Sequence, residues 1–268
     1  MALTVTEIIN ETPVQLHQPD AMSTLYSIQL ILWENGMCIG GYNASKELVL
    51  SKSYIIDDNS DATLLAILMN DALLSGLTPI SHIWFAEERQ MIIPEIYYSE
   101  DFATTWHQTF HFTSAQESLC QHAVVKGNAV YIVFPISNTI KDFCTQYFEE
   151  AQLCSISTLP LSQTHKPNTT VVDIIIMHHT YVLNFTHEGR LIAHKLYQHT
   201  NINDVVYAIA ALSELHHIAQ NKIQIKLSGV HIPQDIIDTV ASFYSSAPAT
   251  LTPEQSTVQL LTRLIACA

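Results

Sequence analysis

From Val171 to Gly229 the chain reads VVDIIIMHHTYVLNFTHEGRLIAHKLYQHTNINDVVYAIAALSELHHIAQNKIQIKLSG, and the order of elements in this stretch decides the fold class. Val171 to Met177 is a nearly continuous apolar run. Tyr181 to Phe185 resumes after a three-residue turn, and Arg190 to Tyr197 follows the turn Thr186-His187-Glu188-Gly189, which predicts an antiparallel meander. Asn203 is the expected cap of a helix in which Val206, Ile209, Ala210, Leu212 and Leu215 recur at helical spacing. Ile223 to Leu227 then alternates as a strand.

The same order occurs earlier. Ser27 to Leu32, the turn residues Glu34-Asn35-Gly36, Met37 to Tyr42, Asn43-Ala44-Ser45-Lys46 and Leu48 to Ile56 predict a second meander. Asp57 to Ser60 supply capping groups for a helix carrying Ala62, Leu65, Ile67, Leu68, Ala72 and Leu73, expected to close at Gly76 with Pro79 beyond it. Ile80 to Phe85 follows the first helix and Ile223 to Leu227 the second, and each strand precedes another helical pattern, Ser99 to Phe110 and Pro233 to Tyr244. A β-β-β-α-β-α order starting near Ser27 and again near Asp173 predicts an α/β (α+β) protein of two duplicated halves.

An inserted β-β-α-β block lies between them. It comprises His122 to Val125, a Gly127-Asn128 turn, Ala129 to Phe134, a helix from Asn138 to about Glu150 and a strand near Leu153 to Ser157. It either shares the first half's sheet or stands beside it as a subdomain. Ser162 to Thr170 is the expected linker, and Thr252-Pro253-Glu254-Gln255 starts a last helix through Ala266. The expected organisation is an N-terminal arm over 1–22 with room for one short strand, a first half over 23–168 that includes the block 116–160, and a second half over 169–268.

Composition narrows the function. Lys and Arg number 11 against 25 Asp and Glu, for a net charge of −14, so the overall field repels nucleic acid and anionic membranes. No apolar run approaches the ~18 residues of a membrane span. Charged residues are only 13% of the chain, which favours burial of one face against a partner or a second copy, a homodimer being the simplest case. Five cysteines without CxxC spacing, and an N-terminus lacking a basic segment before an apolar core, predict a reducing, cytoplasmic setting.

The layout of residues 23 to 245 resembles the actin-like ATPase fold of actin, sugar kinases and Hsp70, whose halves are ribonuclease-H-like and flank a nucleotide cleft. More narrowly, Gly127-Asn128-Ala129-Val130-Tyr131-Ile132-Val133-Phe134-Pro135, the helix after it and the opening meander resemble an uncharacterised bacterial domain-of-unknown-function family assigned this fold. The inserted block is also similar to that of actin-like proteins of pilus assembly and type II secretion. Active members open each half with Asp-x-Gly, a carboxylate for hydrated Mg²⁺ and a glycine for close phosphate approach. The corresponding positions here are Ser27-Ile28-Gln29 and Asp173-Ile174-Ile175, the phosphate hairpins contain Trp33-Glu34-Asn35-Gly36 and His178-His179-Thr180, and the paired glycine of the adenosine turn is Ser228-Gly229. Seven glycines in the whole chain are scarce for three close approaches to a nucleotide. The resemblance therefore implies a non-catalytic binding or scaffold protein with a protein or peptide partner, a degenerate ATP site and no cofactor. Its alternative is an ATP- and Mg-binding ATPase or kinase, with Asp173, Gly36, Ser228 and Gly229 as the nucleotide-binding residues.

Other constellations have plainer readings. His107 and His111 share one helical face at i, i+4, but residue 108 is Gln, so the general base of a zinc protease helix is missing and a polar helix face is expected. His178-His179 and His216-His217 read as surface pairs, and Asp57, Asp58 and Asp61 as helix N-terminal acids. Glu87-Glu88-Arg89 is the expected hairpin turn between Ile80 to Phe85 and Met91 to Pro94. Trp33, Trp84 and Trp106, with Tyr97 and Tyr98, are expected to fill the core or line the cleft. No nucleophile motif is present.

Overall fold

The computed structural model describes residues 5–10, 25–56, 60–124, 129–198, 201–247 and 250–267. The chain divides into two compact units, one running to Thr158 and the other from Leu159 to Cys267.

The first unit begins with β1 (Val5–Asn10), a strand within the expected arm. It continues with β2 (Ser27–Trp33), β3 (Gly36–Tyr42), β4 (Leu48–Ile56), α1 (Asp61–Asn70), β5 (Ile80–Ala86), β6 (Met91–Pro94) and α2 (Glu100–Phe110). β7 (Glu117–Val124), β8 (Val130–Ser137), α3 (Asn138–Tyr147) and β9 (Gln152–Ser155) complete it, with the single turn of α4 (Thr158–Leu161) leading out. Two sheets form: a six-stranded one in the order β1-β4-β3-β2-β5-β9, and a three-stranded one in the order β6-β8-β7. The inserted block thus does both things open to it. β9 extends the main sheet beside β5, while β7 and β8 build the second sheet.

Two local expectations differ from the structure. Glu87-Glu88-Arg89 is not a hairpin turn, because β6 pairs antiparallel with β8 and the chain changes sheets between β5 and β6. α1 ends at Asn70 and not at Gly76. Asp71 stops it: the carboxylate Oδ1 accepts from the backbone N–H groups of Leu73 and Leu74, and Oδ2 accepts from Lys52 Nζ at 2.9 Å and from the Tyr54 hydroxyl. Burial pushes the Asp71 carboxyl up, but these donors outweigh it and hold it below the usual range. The acids Asp57 and Asp58 lie outside the described residues; Ser60 is the cap, its hydroxyl accepting from Thr63 N–H.

The second unit contains β10 (Thr170–Met177), β11 (Thr180–His187), β12 (Arg190–Gln198), α5 (Ile202–Leu215), β13 (Ile223–Val230), α6 (Gln234–Phe243) and α7 (Pro253–Ile265). Its sheet runs β12-β11-β10-β13, with β10 and β13 parallel and the other pairs antiparallel. The helix cap of α5 is Asn201 and not Asn203: the Asn201 carboxamide accepts from Asn203 N–H. Alternation on β10 sends Val172, Ile174 and Ile176 into one core with Val205 and Ile209 of α5 and Ile237 and Val240 of α6. The opposite face carries Asp173 and Ile175. α7 packs along β13, started by a capping box between Thr252 and Gln255 with Pro253 at its first position.

Candidate functional site

The polar centre of the second unit is built from three elements. β10 contributes Asp173, β13 contributes Ser228 two register positions along, and α7 contributes Arg263 from its last turn. Nη1 of Arg263 donates to Asp173 Oδ1 at 3.1 Å and to the Ser228 hydroxyl at 2.7 Å, and Nη2 donates to Asp173 Oδ2. Both oxygens of the 1% exposed carboxylate are therefore already engaged in a fork-to-fork ion pair. His165 stands within their field. Its burial lowers the imidazole's proton affinity, the charges of Lys226 and Arg263 lower it further, and Asp173 partly opposes them. Lys226 in turn donates to Gln163 Oε1 at 2.9 Å.

Gly229 sits beside this group for a packing reason. A Cβ there would fall 2.0 Å from the carbonyl oxygen of Ile176, its register partner on β10. Only the absence of a side chain lets the two parallel backbones approach. The carbonyl of Gly229 accepts from the Ser256 hydroxyl of α7 at 3.3 Å, which ties the strand end to that helix.

In the first unit the structure corrects the correspondence: counted back from the two-residue hairpins at Trp33 and Met177, Gln29 of β2, and not Ser27, stands level with Asp173 of β10. Gln29 is fully buried and its Oε1 accepts from the indole N–H of Trp84 at 3.1 Å. His82 stacks on the same indole at 5.5 Å, and His122 meets its edge while sharing a 2.8 Å hydrogen bond with Thr158. Burial depresses the proton affinity of both imidazoles. Gly36 closes the two-residue hairpin between β2 and β3, where a Cβ would meet Tyr54 O at 2.4 Å and the Trp33 ring at 2.5 Å. The face of this glycine is covered by its own hairpin's indole. The equivalent turn of the second unit, His178-His179, joins Met177 to Thr180, with His178 at φ +51°.

Asp173 and Ser228 are thus brought together on the adjacent strands β10 and β13, with Gly229 next along β13, while Gly36 belongs to the other unit. Arg263, which completes the polar group of the second unit, carried no sequence signal, whereas Trp84 is buried as its sequence reading expected and adds an indole N–H bond to Gln29. Arg263 lies ninety residues from Asp173, in a helix recognised only by its caps.

His107 corrects the expectation of a polar face. It is fully buried, its Nε2–H donating to the Arg89 carbonyl at 2.7 Å and its Nδ1 accepting from the Thr113 hydroxyl at 3.0 Å, so it pins α2 to the segment before β6. Tyr97, expected inside, is exposed. Among the described residues no three His, Cys, Asp or Glu side chains gather as metal ligands would, and no helix is long and apolar enough to cross a membrane.

Duplicated meander-and-helix units of this order define the actin-like ATPase fold. A Bacteroides thetaiotaomicron protein with an actin-like ATPase fold and unknown function superposes with a TM-score of 0.69 at 19% identity, over 90% of this chain and 98% of that one. The chain belongs to the family described as "Protein of unknown function (DUF3822)", whose model matches residues 23–245. More distant similarity reaches the cytoplasmic domain of EpsL, an inner-membrane component of the type II secretion system of Vibrio cholerae (TM-score 0.46, 10% identity, 90% of this chain and 94% of that one). It also reaches a PilM-PilN type IV pilus biogenesis complex (TM-score 0.43, 12% identity, 82% and 73%). No functionally curated protein matches the chain.

Proposed function

We propose that this protein is a non-catalytic actin-fold binding protein of the cytoplasm whose nucleotide site has decayed and whose ligand is a protein or peptide. The observation that supports this reading is the fork of Arg263 on Asp173 and Ser228. A carboxylate that holds hydrated Mg²⁺ must offer free lone pairs and net charge, and a guanidinium already in place takes up a lone pair on each oxygen and neutralises the charge that would attract the cation. The amide of Gln29, bonded to Trp84, supplies no compensating charge on the first strand. The side chains around Asp173 form a closed structural pair in this reading, and the fold serves as a rigid scaffold.

The test is a titration with a fluorescent ATP analogue, with and without Mg²⁺, on the native chain and on Asp173→Asn, paired with thermal denaturation. The expected result is no saturable binding and no shift in the melting curve. A ligand at a hundred times its Kd adds about 2.7 kcal/mol, a displacement that is easily read. Saturable, Mg²⁺-dependent binding that Asp173→Asn abolishes would establish the ATP-binding alternative.

A further inference from the structure

β6 is an edge strand: one side pairs with β8, and among the described residues no strand pairs with the other. A groove of about 650 Å³ is lined by Met91, Ile92, Ile93 and Pro94 of this strand and by Trp106 and Phe110 of α2. Five of the twelve large apolar side chains that stand exposed among the described residues, Ile96, Tyr97, Phe102, Phe110 and Phe112, fall within this one short stretch of chain. An apolar concentration of this kind marks an interaction surface.

The groove is held open by a polar clamp. Arg89 donates to Glu117 through Nη2 at 2.6 Å, to Glu87 through Nε at 3.0 Å and to the Phe112 carbonyl at 3.2 Å, while His107 from α2 grips the Arg89 carbonyl. The wall and the strand edge are thereby fixed before any ligand arrives, which lowers the ordering cost of binding. Pro94 ends the edge, so the free backbone groups form a short bounded register and not an open template for aggregation.

The geometry points to strand addition by an extended peptide whose alternate apolar side chains enter the groove and whose flanks are basic. Charge selects that occupant. Exposed Glu88 precedes the strand, and exposed Glu95, Glu100 and Asp101 follow it, while Arg89, the single Lys or Arg from 53 to 125, is engaged by Glu87 and Glu117. A second copy of this chain would bring the same acids face to face, and an anionic membrane would be repelled. Strand addition supplies affinity through main-chain hydrogen bonds, with side-chain pockets at every second residue. This inference names the binding surface of the scaffold proposed above and rests on that reading.

The probe is a library of random twelve-residue peptides displayed on phage and selected against the full chain. The enriched peptides are then synthesised with a fluorophore and titrated by anisotropy. Expected are sequences with apolar residues at alternate positions and Lys or Arg at the ends. Their affinity should fall at least about tenfold in Phe110→Asp and in the pair Glu95→Lys with Glu100→Lys, and should not change in Tyr207→Asp, an equally exposed aromatic of the second unit. Because Phe110 is 74% exposed, its replacement leaves the fold intact, which circular dichroism verifies. Hydrogen exchange in peptic fragments covering 91–94 should slow on binding.

Several results would overturn the proposal: no enrichment, binding indifferent to Phe110→Asp, helical i, i+4 apolar patterns, unchanged exchange at 91–94, or dimerisation of the free chain at micromolar concentration that Phe110→Asp dissolves. A positive ATP titration would overturn the degenerate-site reading without touching the groove. A failed selection would remove the groove and leave the nucleotide result standing.

Discussion

Replacing Arg263 with alanine is the sharpest probe of the second unit. The substitution strips both oxygens of Asp173 of their charged donors and leaves Ser228 without its partner, in a setting where the carboxylate is 1% exposed. Removing one member of a buried ion pair costs about 3–5 kcal/mol. The Arg263 side chain retains 22% exposure, so water already screens part of the attraction, and the expected loss sits nearer ~2–3 kcal/mol. Asp173→Asn is the companion variant, because an amide keeps the shape, can still accept from Arg263 and carries no charge to strand. Its own cost should be about 1–2 kcal/mol, and in the Arg263→Ala background it should restore part of what was lost, giving a coupling of at least about 1 kcal/mol. Urea unfolding of the four proteins, followed by far-ultraviolet circular dichroism, measures this directly. The reasoning fails if Arg263→Ala costs under about 0.5 kcal/mol, or if the two single penalties add to within that margin, since independent sites add and a paired buried charge cannot.

Two further outcomes follow from the packing and the histidines. Gly229→Ala places a methyl group 2.0 Å from the Ile176 carbonyl, so the β10–β13 ladder must part; a loss of about 3 kcal/mol or more is expected in the same unfolding assay, and a loss under about 1 kcal/mol would show that the strands can yield. His82, His107, His122, His165 and His231 all bind protons less readily than the free imidazole value of 6.5, chiefly because they are buried. Above that value folded and unfolded chains are alike neutral at these sites and stability is full. Below it the unfolded chain takes up protons that the folded chain resists, so the urea midpoint should be flat from pH 8 to 7 and decline from about 6.5 toward 5, by up to ~1.4 kcal/mol per pH unit for each group. His107→Gln should lessen that slope, and a midpoint that stays level down to pH 5 would contradict the assignment.

What the sequence disclosed and what it hid divide along the distance over which each interaction acts. The two meanders were legible because period-two alternation and turn residues such as Glu34-Asn35-Gly36 act within a few residues. The cap at Thr252 was legible for the same reason. The end of α1 was not, since Ala72 and Leu73 continue the helical period and only the carboxylate of Asp71, turned back on Leu73 and Leu74 and reached by Lys52 and Tyr54, ends it. Nor was the sheet change after β5 visible: a four-residue strand carries too little pattern to say which neighbour it will choose, and β6 chose β8, thirty-nine residues on from Met91 to Val130. His107 read as half of a solvated pair because its two hydrogen-bond partners, the Arg89 carbonyl and Thr113, belong to the chain on either side of its helix.

The resemblance to active members of this fold would make Asp173 a Mg²⁺ ligand, and a reading that stops at the strand would count it as retained. Its chemistry is decided instead by α7, the last helix, where Arg263 stands among Leu260, Leu261 and Leu264, which bury that helix and hold the guanidinium at the strand. A carboxylate's capacity to bind a cation is set by its free lone pairs and net local charge, and both are properties of the folded neighbourhood. A chain with the same strand but Leu or Gln at the position of Arg263 would leave the acid unpaired, and such a chain, or Arg263→Gln made in this one, is where Mg²⁺ binding should first reappear if the carboxylate alone were sufficient. Isothermal titration of Arg263→Gln with Mg²⁺ and ATP should still show no heat of binding, because the β10–β11 turn of the same unit carries His178 and His179 where a phosphate needs bare backbone, and Gly229 is packed against the Ile176 carbonyl. Heat in that variant and none in the native chain would mean that one guanidinium, and not the loss of the glycine turns, is what closed the site.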